Sequence, residues 1–142
     1  MDSVSRQITF AFGKLTSTVD DSTEIWQLWL KIEATFSVFV GPEIVYSEPY
    51  FPVVEFAQTA ERWLDSCRSH LVYVSLESEE RPLIAFYRCA DGNFTFYSPH
   101  ASVAQVVIVS PDALEFGLRA FILSLRRAVM SELHLNIDAA LQ

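Results

Sequence analysis

Glycine is scarce in this chain of 142 residues. There are four, Gly13, Gly41, Gly92 and Gly117, and none are grouped. That excludes a glycine-rich phosphate loop and the strained turn of a nucleophile elbow. Cysteine is scarcer still. Cys67 and Cys89 are too few for a disulfide framework and are not spaced as a metal or redox motif. They read as small buried side chains in a reducing compartment. His70, His100 and His134 share no metal-ligand spacing. No uncharged apolar run reaches the roughly 18 residues of a membrane helix. The longest apolar stretch is broken by Lys31 and Glu33. Residues 1–6 lack the charged and apolar regions of a signal peptide. The expected compartment is the cytoplasm, with no membrane partner.

Positive charge is also in short supply. Ten bases, only two of them lysine, stand against eighteen acids, and the net charge is −8. The summed field repels a phosphate backbone and attracts a basic protein. Hydrophobic residues make up 51% of the chain, enough to exclude disorder. At this length the expectation is one domain over residues 1–142, with 1–6 and 135–142 as candidate flexible termini.

Period-2 alternation places a strand at residues 7–14. A longer one is expected from Trp26 to Val40, where every even position is apolar. Gly41-Pro42 ends it, and Ile44-Val45-Tyr46 can pair back. Residues 53–67 then follow a 3.6 period. Val53, Phe56, Ala57, Ala60, Trp63, Leu64 and Cys67 share one stripe, and Glu55, Gln58, Thr59, Glu61, Arg62 and Asp65 lie opposite, as in an amphipathic surface helix. Short strands are expected at 71–76, 83–89, 94–97 and 103–109, with Asp91-Gly92 as a hairpin turn. Ser110-Pro111-Asp112 is a helix start, and the helix runs to about Leu133. The fold class expected is α+β: an antiparallel sheet of about five to seven strands with two amphipathic helices packed on one face.

The last helix is apolar on two sides. Leu114, Leu118, Phe121, Ile122, Leu125 and Val129 form the core stripe. Phe116, Leu123 and Met130, spaced seven apart with Ala120 nearby, form a second seam. Cover by the chain's own loops or tail is favoured slightly, and self-association or partner contact is the alternative.

No group of residues converges for chemistry, so no catalytic residue, metal or cofactor is expected. With eighteen acids some carboxylate pair is always close, and a hydrolase is the weakest reading. The acids form three groups: Asp20, Asp21 and Glu24; Glu43 and Glu48; and Glu77, Glu79 and Glu80. Each could simply solvate a loop. Together they are the candidate contacts to a basic partner.

The segment Glu48-Pro49-Tyr50-Phe51-Pro52-Val53-Val54-Glu55-Phe56-Ala57, followed by Trp63-Leu64, resembles a poorly characterised family of small bacterial domains. These carry an acid and proline, then Phe-Pro-Val, then Glu-x-Ala and a tryptophan on the next helix. Small acidic α+β proteins of this type are often immunity proteins paired with secreted toxins, including those of contact-dependent growth inhibition. The resemblance implies an immunity protein, monomeric or homodimeric, that binds a cognate toxin such as a basic nuclease and occludes its active site or substrate surface. The alternative is a small-ligand or regulatory domain whose rings, among them Trp29, Phe39, Tyr87 and Tyr97, wall an apolar pocket between sheet and helices.

Overall fold

Strand β3 (Ile32–Val40) is the spine of the first sheet. Its even residues are buried and its odd residues are exposed or half-buried, as the alternation required. The computed structural model describes residues 6–20, 22–24, 27–66, 69–75, 82–103 and 105–142. On one side of β3 lie β1 (Ile8–Phe12) and then β2 (Thr16–Ser17), two pieces of one interrupted antiparallel strand. On the other side lies β4 (Glu43–Phe51), also antiparallel. The strand expected from Trp26 begins only at Ile32, because α1 (Leu28–Lys31) is a turn of helix. Gln27 holds its start: its N–H donates to the Glu24 carbonyl at 3.0 Å, and its Oε1 accepts from the Glu24 N–H at 2.7 Å. Trp26 lies outside the described residues.

Strand β4 runs past the Ile44-Val45-Tyr46 segment expected to pair back, through Pro49 to Phe51. Its register against β3 shifts twice. One shift sits between the Ala34 and Phe36 levels, where Pro49 and its missing N–H fall in a bulge. The other sits between the Val38 and Phe39 levels and lets the consecutive residues Val45 and Tyr46 both be buried.

Helix α2 (Val53–Leu64) crosses from the first sheet to a second one. It is not a surface helix. Glu55 and Gln58, expected on its wet side, are 5% and 6% exposed, because the helix packs against β3, β5, α1, α3 and the C-terminal turn. The second sheet is an antiparallel meander of β5 (Leu71–Tyr73), β6 (Ile84–Arg88), β7 (Phe94–Tyr97) and β8 (Ile108–Val109). The strand expected over 103–109 is therefore reduced to its last two residues. Ala101 instead bridges to Tyr46 on β4, and the Ser102 N–H donates to the Val45 carbonyl at 2.8 Å. The single sheet with two helices on one face becomes, among the described residues, two four-stranded antiparallel sheets with three α-helices. Rings from both sheets and two helices meet in one core. Phe10 stands 6.3 Å from Phe36, 5.8 Å from Phe56, 6.1 Å from Phe86 and 6.2 Å from Phe121.

Helix α3 (Pro111–Leu133) begins as expected, with the Ser110 hydroxyl accepting from the Ala113 N–H at 3.1 Å. It closes the free edge of the first sheet. The Gln7 carbonyl accepts from Gly41 and the Thr35 carbonyl from Gly13, so the odd residues bond to β3 and the Ile8 carbonyl points the other way. Gly117 sits on that carbonyl; a Cβ there would lie 2.6 Å from the oxygen. At the far end Glu132 Oε1 accepts from the Leu15 N–H at 3.1 Å. A helix laid along an edge removes a template for unwanted pairing. The tail beyond α3 is folded. His134 caps the helix in the left-handed region at φ 57°, and a 3-10 turn (Asp138–Leu141) buries Ala140 and Leu141, with Ile137 buried just before it. The Trp29 indole donates to the Ala140 carbonyl at 2.7 Å.

Candidate protein-binding surfaces

The expected acidic contacts do not converge. Asp20 and Glu24 lie at the start of β3, tied there by the Thr18 N–H to the Lys31 carbonyl and by Lys31 Nζ to Thr23 Oγ1 at 3.4 Å. Glu43 lies opposite Val40, at the other end of the strand. At about 3.4 Å per residue those ends are roughly 27 Å apart. Glu48 lies between them opposite Phe36, half-buried. Asp21, Glu77, Glu79 and Glu80 lie outside the described residues. The Asp20 carboxylate is used locally. It accepts from the Ser22 N–H at 2.9 Å, the Ser22 hydroxyl at 2.7 Å and the Thr23 hydroxyl at 3.2 Å. These bonds hold its pKa below the ordinary value, Ser22 contributing most.

Two apolar surfaces are exposed instead. The first is the outer face of the second sheet. Register places Val72, Ala85 and Tyr97 side by side across three strands, and Tyr87, Thr95 and Ile108 in the next row. Val106 continues the first row, since the Phe96 N–H donates to the Val107 carbonyl at 2.9 Å. His70 joins the second row, its ring 5.4 Å from that of Tyr87, which is 6.1 Å from Tyr97. The Arg88 N–H donates to His70 Nδ1 at 2.8 Å, and His70 is exposed. Cys89, expected to be buried, is half-buried on this face, with its sulfur 3.0 Å from the Thr95 hydroxyl. Cys67 lies outside the described residues.

These rows contain no aspartate, glutamate, lysine or arginine. They hold Val72, Tyr87, Tyr97 and Val106, and Val74 extends the face. Those five are half of the ten large hydrophobics exposed among the described residues. An antiparallel sheet with a wet face normally carries polar residues there. An uncharged apolar face with paired tyrosines has the composition of an interface core. A groove of about 400 Å³ adjoins it between α2 and β5, lined by Thr59, Arg62, Trp63, His70, Val72 and Val74 among others.

The second surface is the α3 seam. Phe116, Leu123 and Met130 are 64%, 48% and 50% exposed. No loop or tail among the described residues covers them, although the tail residues Leu135, Asn136 and Ile137 line a groove beside Met130, so the expectation of intramolecular cover is corrected. The tail packs against α2 instead, with Ala140 and Leu141 buried.

The rings expected to wall a ligand pocket are dispersed. Trp29 reaches the C-terminal turn, Phe39 is half-buried on the outer side of β3, and Tyr87 and Tyr97 face outward from the second sheet. The polar group that sequence reasoning missed is internal. The Tyr73 hydroxyl donates to Glu55 Oε1 at 2.7 Å, both residues are buried, and Ser75 bonds to the same hydroxyl. Glu55 lies in the first turn of α2, where the helix dipole favours a carboxylate. This node fastens the second sheet to α2. Among the described residues no His, Cys, Asp or Glu cluster has the arrangement to hold a metal ion. No helix among them is long and apolar enough to cross a membrane.

A family model described as a domain of unknown function, DUF7878, matches residues 8–131. The match runs from the first strand almost to the end of α3, and the chain belongs to that family. No curated protein and no solved structure matches the chain.

Proposed function

We propose that this protein acts by binding another protein. In this reading it is a cytoplasmic immunity protein that neutralises a cognate secreted toxin domain of basic surface, such as a nuclease, by occluding its active site or substrate surface. The observation that carries the reading is the uncharged outer face of the second sheet. Tyrosines held in place by their strand neighbours make large contacts at small entropic cost, as interface anchors do. The net charge of −8 supports a basic partner. Exposed acids such as Asp20, Glu24 and Glu43 would raise the encounter rate, and the tyrosine face would slow release.

The test is co-expression with the product of the neighbouring gene, where that gene encodes a toxin domain. Protection of the cell and recovery of a stable complex are expected. A cell that dies as fast as without the protein refutes the immunity reading. Replacing Tyr87 and Tyr97 together with Ala should weaken the complex about 30-fold or more, the effect of losing about 2 kcal/mol at an interface centre. Unchanged affinity in a variant that melts like the wild type would remove this face from the contact.

A further inference from the structure

A sheet edge is a template for further pairing, and this fold treats its edges unequally. Helix α3 lies along β1. On β4 the Tyr46 level is bridged by Ala101, and the Val45 carbonyl is taken by Ser102. Strand β8 has two residues before Ser110-Pro111 opens α3. The remaining edge is that of β5, and among the described residues no strand lies on its outer side. We infer that this edge takes an extended segment of the partner protein as a fifth strand of the second sheet.

The backbone of the edge sets its occupant. The Tyr73 carbonyl accepts from the Leu83 N–H at 2.9 Å, so the odd residues bond toward β6. Burial alternates from Leu71 to Ser75, with Val72 and Val74 exposed, so the chain stays extended beyond the end of β5. The N–H and C=O groups of Val72 and Val74 therefore point away from β6. Another polypeptide backbone carries the alternating donors and acceptors that match such a row. Natural sheets guard an open edge with lysine, other charges or proline, and residues 69–75 contain none of them.

Helix α2 supplies a second wall. Thr59, Arg62, Trp63 and Ser66, on one side of the helix, face Val72 and Val74 across the groove of about 400 Å³. A strand edge that faces a helix across a groove is the arrangement by which peptide-binding domains take an extended ligand. No aspartate or glutamate lines the groove, so it is not a seat for a basic side chain. The strand is already fixed. The Trp63 indole donates to the Ser69 carbonyl at 2.9 Å, and the Tyr73 hydroxyl holds Glu55 at 2.7 Å. An edge ordered before binding loses little entropy on binding. Alternate side chains of the added strand would face α2, and the others would continue the row of Val72, Ala85 and Tyr97. Edge and tyrosine face thus make one contact, and the inference rests on the reading of this protein as a binder of another protein.

In the free chain the amides of Val72 and Val74 should exchange with solvent much faster than those of Leu71 and Tyr73. Slow exchange in dilute solution would show that the chain's own residues cover the edge. Slow exchange only in concentrated solution would show that a second copy does. Either result overturns the proposal. In the complex with the toxin domain both amides should become protected. Val72→Pro removes an outward N–H and no bond to β6, so it should keep the native circular dichroism yet weaken the complex about tenfold or more. Val72→Thr keeps the N–H and should bind like the wild type. If Val72→Pro fails to fold, Val74→Pro, beyond the end of β5, takes its place. A folded proline variant with unchanged affinity overturns the edge and leaves the immunity reading to the tyrosine variants. If the wild type does not protect the cell, the immunity reading fails and the edge is decided separately, with short random peptides displayed on phage. Peptides held by the wild type and not by the proline variant support the edge, and the absence of any such peptide overturns it.

Discussion

The same chemical change at two buried tyrosines should move stability in opposite directions. Tyr46 and Tyr73 are both 0% exposed. The Tyr73 hydroxyl donates to the buried Glu55 carboxylate at 2.7 Å, whereas the Tyr46 hydroxyl has no hydrogen-bond partner among the described residues. Removing a donor from a charged acceptor typically costs about 1.5–3 kcal/mol. An unpartnered buried hydroxyl costs the fold roughly 1–3 kcal/mol, and Phe at that site recovers it apart from the hydroxyl's own packing contacts. Tyr73→Phe should therefore destabilise by about 2 kcal/mol and Tyr46→Phe should stabilise by about 1 kcal/mol. For a domain of this size that is a melting temperature about 6–8 °C lower for the first and about 3–4 °C higher for the second. Urea melts with equal slopes would confirm that native-state stability is what moved. If Tyr46→Phe loses 1 kcal/mol or more, its hydroxyl has a partner in solution. If Tyr73→Phe is neutral, the node contributes nothing to holding the second sheet on α2.

Gly117→Ala should destabilise by roughly 1–2 kcal/mol in a chemical melt despite the better helix propensity of alanine, because the new Cβ meets the Ile8 carbonyl oxygen at 2.6 Å. A gain in stability would show that α3 can move off the sheet edge. Ser110→Ala should cost about 1 kcal/mol by loss of the α3 cap, and Ser110→Asp should largely restore it. The Asp20 carboxyl should titrate by NMR below 3.8. Its folded pKa is depressed, so its contribution is present above 3.8 and is lost as pH falls through the lower value. A midpoint at or above 3.8 would mean that the turn through Ser22 and Thr23 does not form in solution. Burial raises the pKa of both Tyr46 and Tyr73, so their ionisation leaves the fold unaffected below the unfolded value of about 10 and stability is lost as pH rises beyond it. Neither should ionise before the fold opens, which tyrosinate absorbance followed beside circular dichroism would show.

The elements with a clean period were legible in the sequence. Residues 32–40 alternate and form β3, and Ser110-Pro111 opens a helix that runs to Leu133. In the motif, Phe51 and Phe56 meet edge to face at 5.8 Å, and Trp63 is buried. These features rest on local geometry: a two-residue pleat, a 3.6-residue turn, a side chain capping its own helix. The seam on α3 was legible too, but its cover was not, because which side of a helix meets a tail depends on where the tail goes.

What lay between neighbours distant in sequence was decided by tertiary structure alone. Residues 28–31 fit the strand pattern, yet they turn as a helix whose Trp29 bonds to Ala140, over a hundred residues away. Glu55 and Gln58 occupy the polar side of a wheel, yet β5 and the C-terminal turn close over them. The tyrosine face was hidden for a related reason. Leu71-Val72-Tyr73-Val74 is apolar on both faces, so its pattern reads as a strand covered on both. Composition set the charge, and periodicity set the helices and the central strand. The split into two sheets, and which apolar face would be left open, depended on side chains brought together by the fold, and no local period encodes those meetings.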